Sequence, residues 1–160
     1  MAIGLGGNSD GTRRALSVAV ASLSGTLDAL RVSALYRTAP VGGPEQPDFW
    51  NAVAVGRTRL PARALLARLL RLERSLGRRR RGADRNGPRV LDLDLLLYGG
   101  ATLDDRPLRV PHPRLFERRF VLAPLAELAP GWVVPGTGRS VASLLDAAPA
   151  ARVEPAGRIA

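Results

Sequence analysis

Val90-Leu91-Asp92-Leu93-Asp94-Leu95-Leu96-Leu97-Tyr98 is the most strand-like segment of the chain. Successive side chains of a strand point to opposite faces. Asp92 and Asp94 therefore sit side by side, while Leu91, Leu93 and Leu95 face the other way. Two adjacent carboxylates repel each other and lose hydration on a sheet. Something positive belongs beside them. Magnesium, which is held by one or two carboxylates plus phosphate oxygens, meets that need. Arginines pairing with both acids on an exposed sheet face would meet it too.

Working outward, Met1 to Gly6 reads as a first strand ending in a Gly-Gly turn. Asp10 or Thr12 is placed to cap a helix running to about Leu23, with Leu16, Val20 and Leu23 at helical spacing. Leu27 to Arg37 alternates through Leu30, Val32, Ala34 and Tyr36, a strand signal, and Thr38 to Asp48 is a Pro/Gly loop. Phe49 to Arg59 alternates again. Phe49, Asn51 and Val53 share one face there, and Trp50, Ala52 and Ala54 the other. Pro61 opens a helix whose apolar stripe runs from Leu65 to Leu76, with Gly77 as its cap. Phe120 to Leu128 is an apolar helix or strand, and Ser140 to Asp146 is a short helix. The order strand, helix, strand, strand, helix, strand predicts a ferredoxin-like βαββαβ α+β sandwich. Its sheet is antiparallel, its helices pack on one face and a C-terminal extension follows. The 160 residues suit one domain, with the last dozen, about 149–160, expected to fray.

Composition narrows the chemistry. There is no cysteine, which excludes disulfides, zinc-cysteine sites and thiol nucleophiles. Every one of the 24 basic residues is arginine, which excludes a Walker lysine and a Schiff base. The net charge of +10 suits a phosphorylated or otherwise anionic ligand. A general bias towards Arg, Ala, Gly and Pro would also produce it. No apolar run approaches a membrane span, and no basic-then-apolar leader opens the chain, so a cytoplasmic protein is expected.

Position says more than number. Eight arginines fall between Arg71 and Arg89, opposed only by Glu73 and Asp84. Four of them, Arg78 to Arg81, follow the end of the second helix. Such a run is a solvated loop, an RNA-binding arm or a phosphate clamp. Its place just before the Asp92/Asp94 pair favours the clamp. Glu73 sits at the edge of the apolar stripe, placed either to pair with an arginine or to accept from a bound base or sugar. His112, held between Pro111 and Pro113 with Arg114, Arg118 and Arg119 behind it, is either structural or a phosphate donor. Phe49 and Phe120 are either core or stacking residues for a flat heterocycle, whose edge Asn51 would read. The glycines at 4, 6 and 7 make no dinucleotide fingerprint.

Several blocks stand in a fixed order. They are Tyr36-Arg37-Thr38-Ala39-Pro40, Gln46-Pro47-Asp48-Phe49-Trp50-Asn51, Glu73, Gly77-Arg78-Arg79-Arg80, Gly87-Pro88-Arg89-Val90-Leu91-Asp92-Leu93-Asp94, and Pro111-His112-Pro113 followed by Arg118-Arg119-Phe120-Val121-Leu122. The set resembles the 6-hydroxymethyl-7,8-dihydropterin pyrophosphokinase family of folate biosynthesis, from about Ile3 to Pro130. The resemblance implies transfer of diphosphate from ATP to the pterin hydroxymethyl oxygen, with AMP leaving. It implies two magnesium ions on Asp92 and Asp94, with Asp92 also near the attacking hydroxyl. Arg78 and Arg89 match phosphate-region arginines, and Arg80 lies in a loop that closes over the reactants. Glu73, Leu95, His112 and Arg118 match the nucleotide site. Phe49 and Phe120 match the pair that sandwiches the pterin, with Asn51 and the backbone of Thr38, Ala39 and Val41 at its edge. A monomer acting on small molecules, without nucleic acid or membrane, is the expectation. Two departures stand out. Gly6-Gly7-Asn8 replaces a first turn that usually carries serine, and Asn86 stands where many members have tryptophan.

A basic ferredoxin-like RNA-binding module is the rival of a different class. With three Phe, two Trp and two Tyr, the chain lacks the aromatic-rich strands on which such modules stack bases. A subunit that keeps the fold without turnover is the third reading.

Overall fold

The computed structural model describes residues 1–40, 45–77 and 87–159. Val41, Arg78, Arg80 and Asn86 lie outside the described residues. Strand β1 (Ala2–Gly7) is buried along its whole length, as an apolar run flanked on both sides by other strands should be. It pairs antiparallel with β4 (Phe49–Arg57) and with β5 (Asp92–Leu97). On β4 lie β2 (Asp28–Val32) and β3 (Tyr36–Thr38), and β3 carries the C-terminal strand β8 (Val153–Pro155). The sheet order is β5-β1-β4-β3-β8, with β2 on β4, and every pairing is antiparallel. This is the expected α+β arrangement.

Helices α1 (Thr12–Ser24) and α2 (Ala62–Ser75) cover one face of the sheet. Leu16, Ala19, Leu23, Leu65 and Leu69 interlock there with Ile3, Leu5, Leu93 and Leu95. The expectation of helices on one face alone is corrected by α3 (Arg119–Leu128) and α4 (Val141–Ala147), which cover part of the other. Val53, Val55, Leu96 and Leu97 face that second core, together with Leu122, Leu125 and Leu144. Strict alternation would put Leu97 with Leu95. The register with β1 slips between Ala2 and Ile3, and this bulge turns Leu97 to the face of Leu96.

Three local expectations are also corrected. The helix α1 is preceded by Gly11 at φ 83°, and no side chain caps it; the Thr12 hydroxyl instead accepts the Ser9 N–H at 3.1 Å. The single strand expected over Leu27 to Arg37 is broken into β2 and β3. Between them the Ala34 N–H turns to the Glu127 carboxylate at 3.0 Å, and the Ser33 hydroxyl accepts the Val53 N–H. The tail does not fray at its middle, because β8 finds an open edge on β3 and Ala156 and Gly157 bond to Leu35. A small hairpin, β6 (Leu103–Asp105) and β7 (Leu108–Val110), leans towards α2 through the Arg63–Asp105 ion pair. No helix among the described residues is long and apolar enough to cross a membrane.

Candidate active site

Asp92 and Asp94 point away from the α1/α2 core, as period two requires. Their partners across the ladder are Gly6 and Gly4 of β1. A strand with side chains at those positions would fill the space beside the carboxylates. A Cβ on Gly6 would fall 2.6 Å from Asn51 Oδ1, and one on Gly4 would touch Leu96. The glycines therefore form the floor of a cleft of about 350 Å³. In the sequence they make no dinucleotide fingerprint. Their significance lies in the register opposite Asp92 and Asp94.

Each wall of this cleft couples an aromatic ring to a carboxylate through an arginine. On one side the Arg89 guanidinium lies 5.0 Å from the Phe49 ring centre, and its Nε is 3.1 Å from Asp92 Oδ2. That contact is an ion pair rather than an aligned hydrogen bond. On the other side Arg118 Nη1 donates to Asp94 Oδ2 at 3.0 Å, with its guanidinium 5.7 Å from the Phe120 ring centre. Between them Asn51 is only 8% exposed and donates from Nδ2 to the Thr38 hydroxyl at 2.7 Å. Thr38 and Ala39 line the same cleft, as does Gln46. The structure thus brings together Phe49, Phe120, Asn51, Thr38, Ala39, Arg89, Asp92, Asp94 and Arg118.

A second cleft of about 300 Å³ opens beside the first. Leu66 and Leu70 of α2, Leu95 of β5, and Pro107 and Leu108 of the hairpin make its apolar walls. Asp94, His112, Arg109 and Arg114 are its polar members. Asp94 and Arg114 border both clefts. His112 is held by its backbone N–H to Leu96 O at 2.8 Å, and its Nδ1 accepts the Arg114 N–H at 3.2 Å. The neutral ring therefore carries its proton on Nε2, which lies 3.9 Å from Asp94 Oδ2. Burial pushes the His112 imidazole below its ordinary value, against the opposing pull of the Asp94 carboxylate.

Glu73 reaches β5 from α2, beneath the sheet. It is 1% exposed and its Oε1 accepts the Leu93 N–H at 2.7 Å. It is not among the residues lining either cleft. Strand β5 is a sheet edge, so the Leu93 N–H has no neighbouring strand to meet, and α2 supplies a side-chain acceptor instead. The contact fixes the strand that carries both aspartates.

Asp92 and Asp94 suit a hard divalent cation. They are oxygen donors on one strand face, and each remains partly open to the cleft. Among the described residues, no group of three or more His, Asp or Glu side chains forms a self-sufficient metal cage. A cation held here would complete its shell with oxygens from a ligand.

Residues 2–130 match the family model described as 7,8-dihydro-6-hydroxymethylpterin-pyrophosphokinase (HPPK). The 2-amino-4-hydroxy-6-hydroxymethyldihydropteridine pyrophosphokinase of Methylorubrum extorquens is 43% identical over 156 residues, covering 95% of this chain and 97% of that protein. The enzyme of the same name from Synechocystis is 40% identical over 146 residues, covering 90% of this chain and 73% of that one. Among solved structures, wild-type Plasmodium falciparum HPPK-DHPS with pterin and p-hydroxybenzoate superposes with a TM-score of 0.72. The identity there is 13%, and the match covers 91% of this chain and 41% of that one. At that identity the likeness speaks for the fold alone. The family match and the two bacterial relatives decide the affiliation: the chain belongs to the 7,8-dihydro-6-hydroxymethylpterin-pyrophosphokinase family.

Proposed function

We propose that the chain transfers diphosphate from ATP to the hydroxymethyl oxygen of 6-hydroxymethyl-7,8-dihydropterin, releasing AMP. The observation that carries this reading is the position of Asp94, on the boundary between an aromatic cleft and an aliphatic one. The pterin takes the first cleft, stacked by Phe49 and Phe120, with its polar edge read by Asn51 and by the backbone of Thr38, Ala39 and Val41. Asn51 can do this because Thr38 fixes its amide. ATP takes the second cleft, with its base between α2, Leu95 and the hairpin. Its phosphates then run past His112 and Arg114 towards Asp94.

Asp92 and Asp94 would hold two magnesium ions together with phosphate oxygens, and magnesium, when bound, neutralises the charge that accumulates on the leaving phosphate. The protein's own contribution is positioning and fixed charge. His112 presents its Nε2 proton to a phosphate oxygen. Arg89 and Arg118 lie beside the carboxylates, so positive charge is already placed where diphosphate must pass. Arg78 and Arg80 are assigned to the same phosphate path by the family resemblance. Glu73 keeps β5 in place from beneath. The same reading makes the protein a cytoplasmic monomer that handles small molecules rather than nucleic acid or membrane.

Product analysis tests this directly. Protein, ATP, magnesium and the hydroxymethyldihydropterin should yield AMP and pterin diphosphate in equal amounts. ADP in place of AMP would mean single-phosphoryl transfer and would overturn the reading.

A further inference from the structure

Asn8 lies in the turn between β1 and α1, and its side chain is almost wholly buried, the residue being 3% exposed. Two separate segments meet on it. Its backbone N–H donates to Arg89 O at 2.8 Å, and its Oδ1 accepts the Arg89 N–H at 3.0 Å. Its Nδ2 donates to Gln46 Oε1 at 2.9 Å and to Pro47 O at 3.0 Å. A primary amide has two N–H donors and one carbonyl acceptor, and here each has a protein partner. The end of β1, just before this turn, is also pressed hard against the segment that leads into β5. A Cβ on Gly7 would fall 2.4 Å from Val90 O.

The partners of Asn8 lead in two directions. Pro47 is two residues before Phe49, so one set of bonds anchors the loop that delivers a stacking ring. Arg89 lies over that same ring and pairs with Asp92, so the other set anchors the phosphate side. We propose that Asn8 is a positioning residue for diphosphate transfer, fixing the spacing between the pterin-stacking ring and the Arg89–Asp92 pair without touching either substrate. The proposal rests on the reading of the two clefts given above. It separates Asn8 from a merely structural asparagine, because its partners Gln46 and Arg89 both line the first cleft and none of its partners lines the second.

The test compares Asn8→Ala and Asn8→Asp with the wild-type protein. Asn8→Asp keeps an acceptor for the Arg89 N–H and replaces the donors to residues 46 and 47 with a carboxylate oxygen that faces two acceptors. It therefore retains the anchor on the strand side even if Asn8→Ala fails to fold. For Asn8→Asp the pterin KM should rise about tenfold and kcat should fall. For Asn8→Ala the loss in kcat/KM for pterin should reach the order of 100-fold, the scale expected of a slight misplacement of reacting groups. The Kd of a non-hydrolysable ATP analogue should stay within about twofold in both variants. A lowered Tm with unchanged KM and kcat would overturn the proposal, as would equal losses for pterin and nucleotide. A wild-type protein that makes no AMP would instead sink the functional reading on which the proposal rests.

Discussion

The aromatic cleft and the aliphatic cleft share Asp94 and Arg114 but are built on different principles. In the first, the floor is bare backbone at Gly4 and Gly6 and the walls are two rings, each backed by an arginine. Its polar readers are buried and fixed, as Asn51 is by Thr38. In the second, the walls are leucine and proline side chains from α2, β5 and the β6–β7 hairpin, and no Phe, Tyr or Trp lines it among the described residues. A rigid edge-reading pocket suits a flat ligand with a fixed pattern of donors and acceptors. An aliphatic slot suits a flat base gripped mainly by apolar contact, with its charge carried out towards His112 and Arg114. On the proposed assignment of the clefts, the difference teaches that selectivity for the acceptor and retention of the donor can be altered separately, whereas a change in the shared wall should harm both.

The most severe way to probe the comparison is to remove the shared wall. Asp94→Ala should lower turnover by on the order of 1,000-fold or more while circular dichroism stays native, because it deletes a carboxylate that both clefts border. Substantial remaining activity would break the account of the junction. A smaller effect should separate the two clefts. Phe120→Ala should weaken pterin binding by roughly 10- to 100-fold, in line with stacking worth about 1–3 kcal/mol, and leave an ATP analogue within about twofold. Leu70→Ala, in the wall of the second cleft, should do the reverse and more mildly. It should weaken the nucleotide about fivefold, near 1 kcal/mol of lost apolar contact, with pterin unchanged. Calorimetric titration of each ligand into each variant reads all four numbers. Equal losses for both ligands would mean the clefts are not assigned as stated.

Much of this was legible along the chain. Period two placed Asp92 and Asp94 on one face and Leu93 and Leu95 in the core, and the structure keeps that division. The same rule put Phe49 and Asn51 together on β4, where both line the first cleft. What stayed hidden depends on partners distant in sequence. Gly4 and Gly6 become a floor only once β1 is in register with Asp94 and Asp92. Asn8 reads as an ordinary turn residue until Gln46, Pro47 and Arg89 arrive from 38 to 81 positions away. Glu73 reads as an acid at the edge of the apolar stripe, and nothing along α2 says that its Oε1 meets the Leu93 N–H at the open edge of β5. The break between β2 and β3 is set by Glu127, 93 residues further on, and the order in the tail by an open edge on β3. Local periodicity carries no information about any of these encounters.

The central claim is that donor and acceptor meet at the Asp92/Asp94 wall from opposite clefts. Manganese offered in place of magnesium, with a non-hydrolysable ATP analogue and the pterin both bound, tests it most directly by paramagnetic line broadening in isotope-labelled protein. The account predicts that the amide signals of Asp92 to Asp94 and His112 are lost first, and that the protons of the pterin and of the adenine both broaden. Loss of signals elsewhere with these four unaffected, or broadening of one ligand alone, would contradict it.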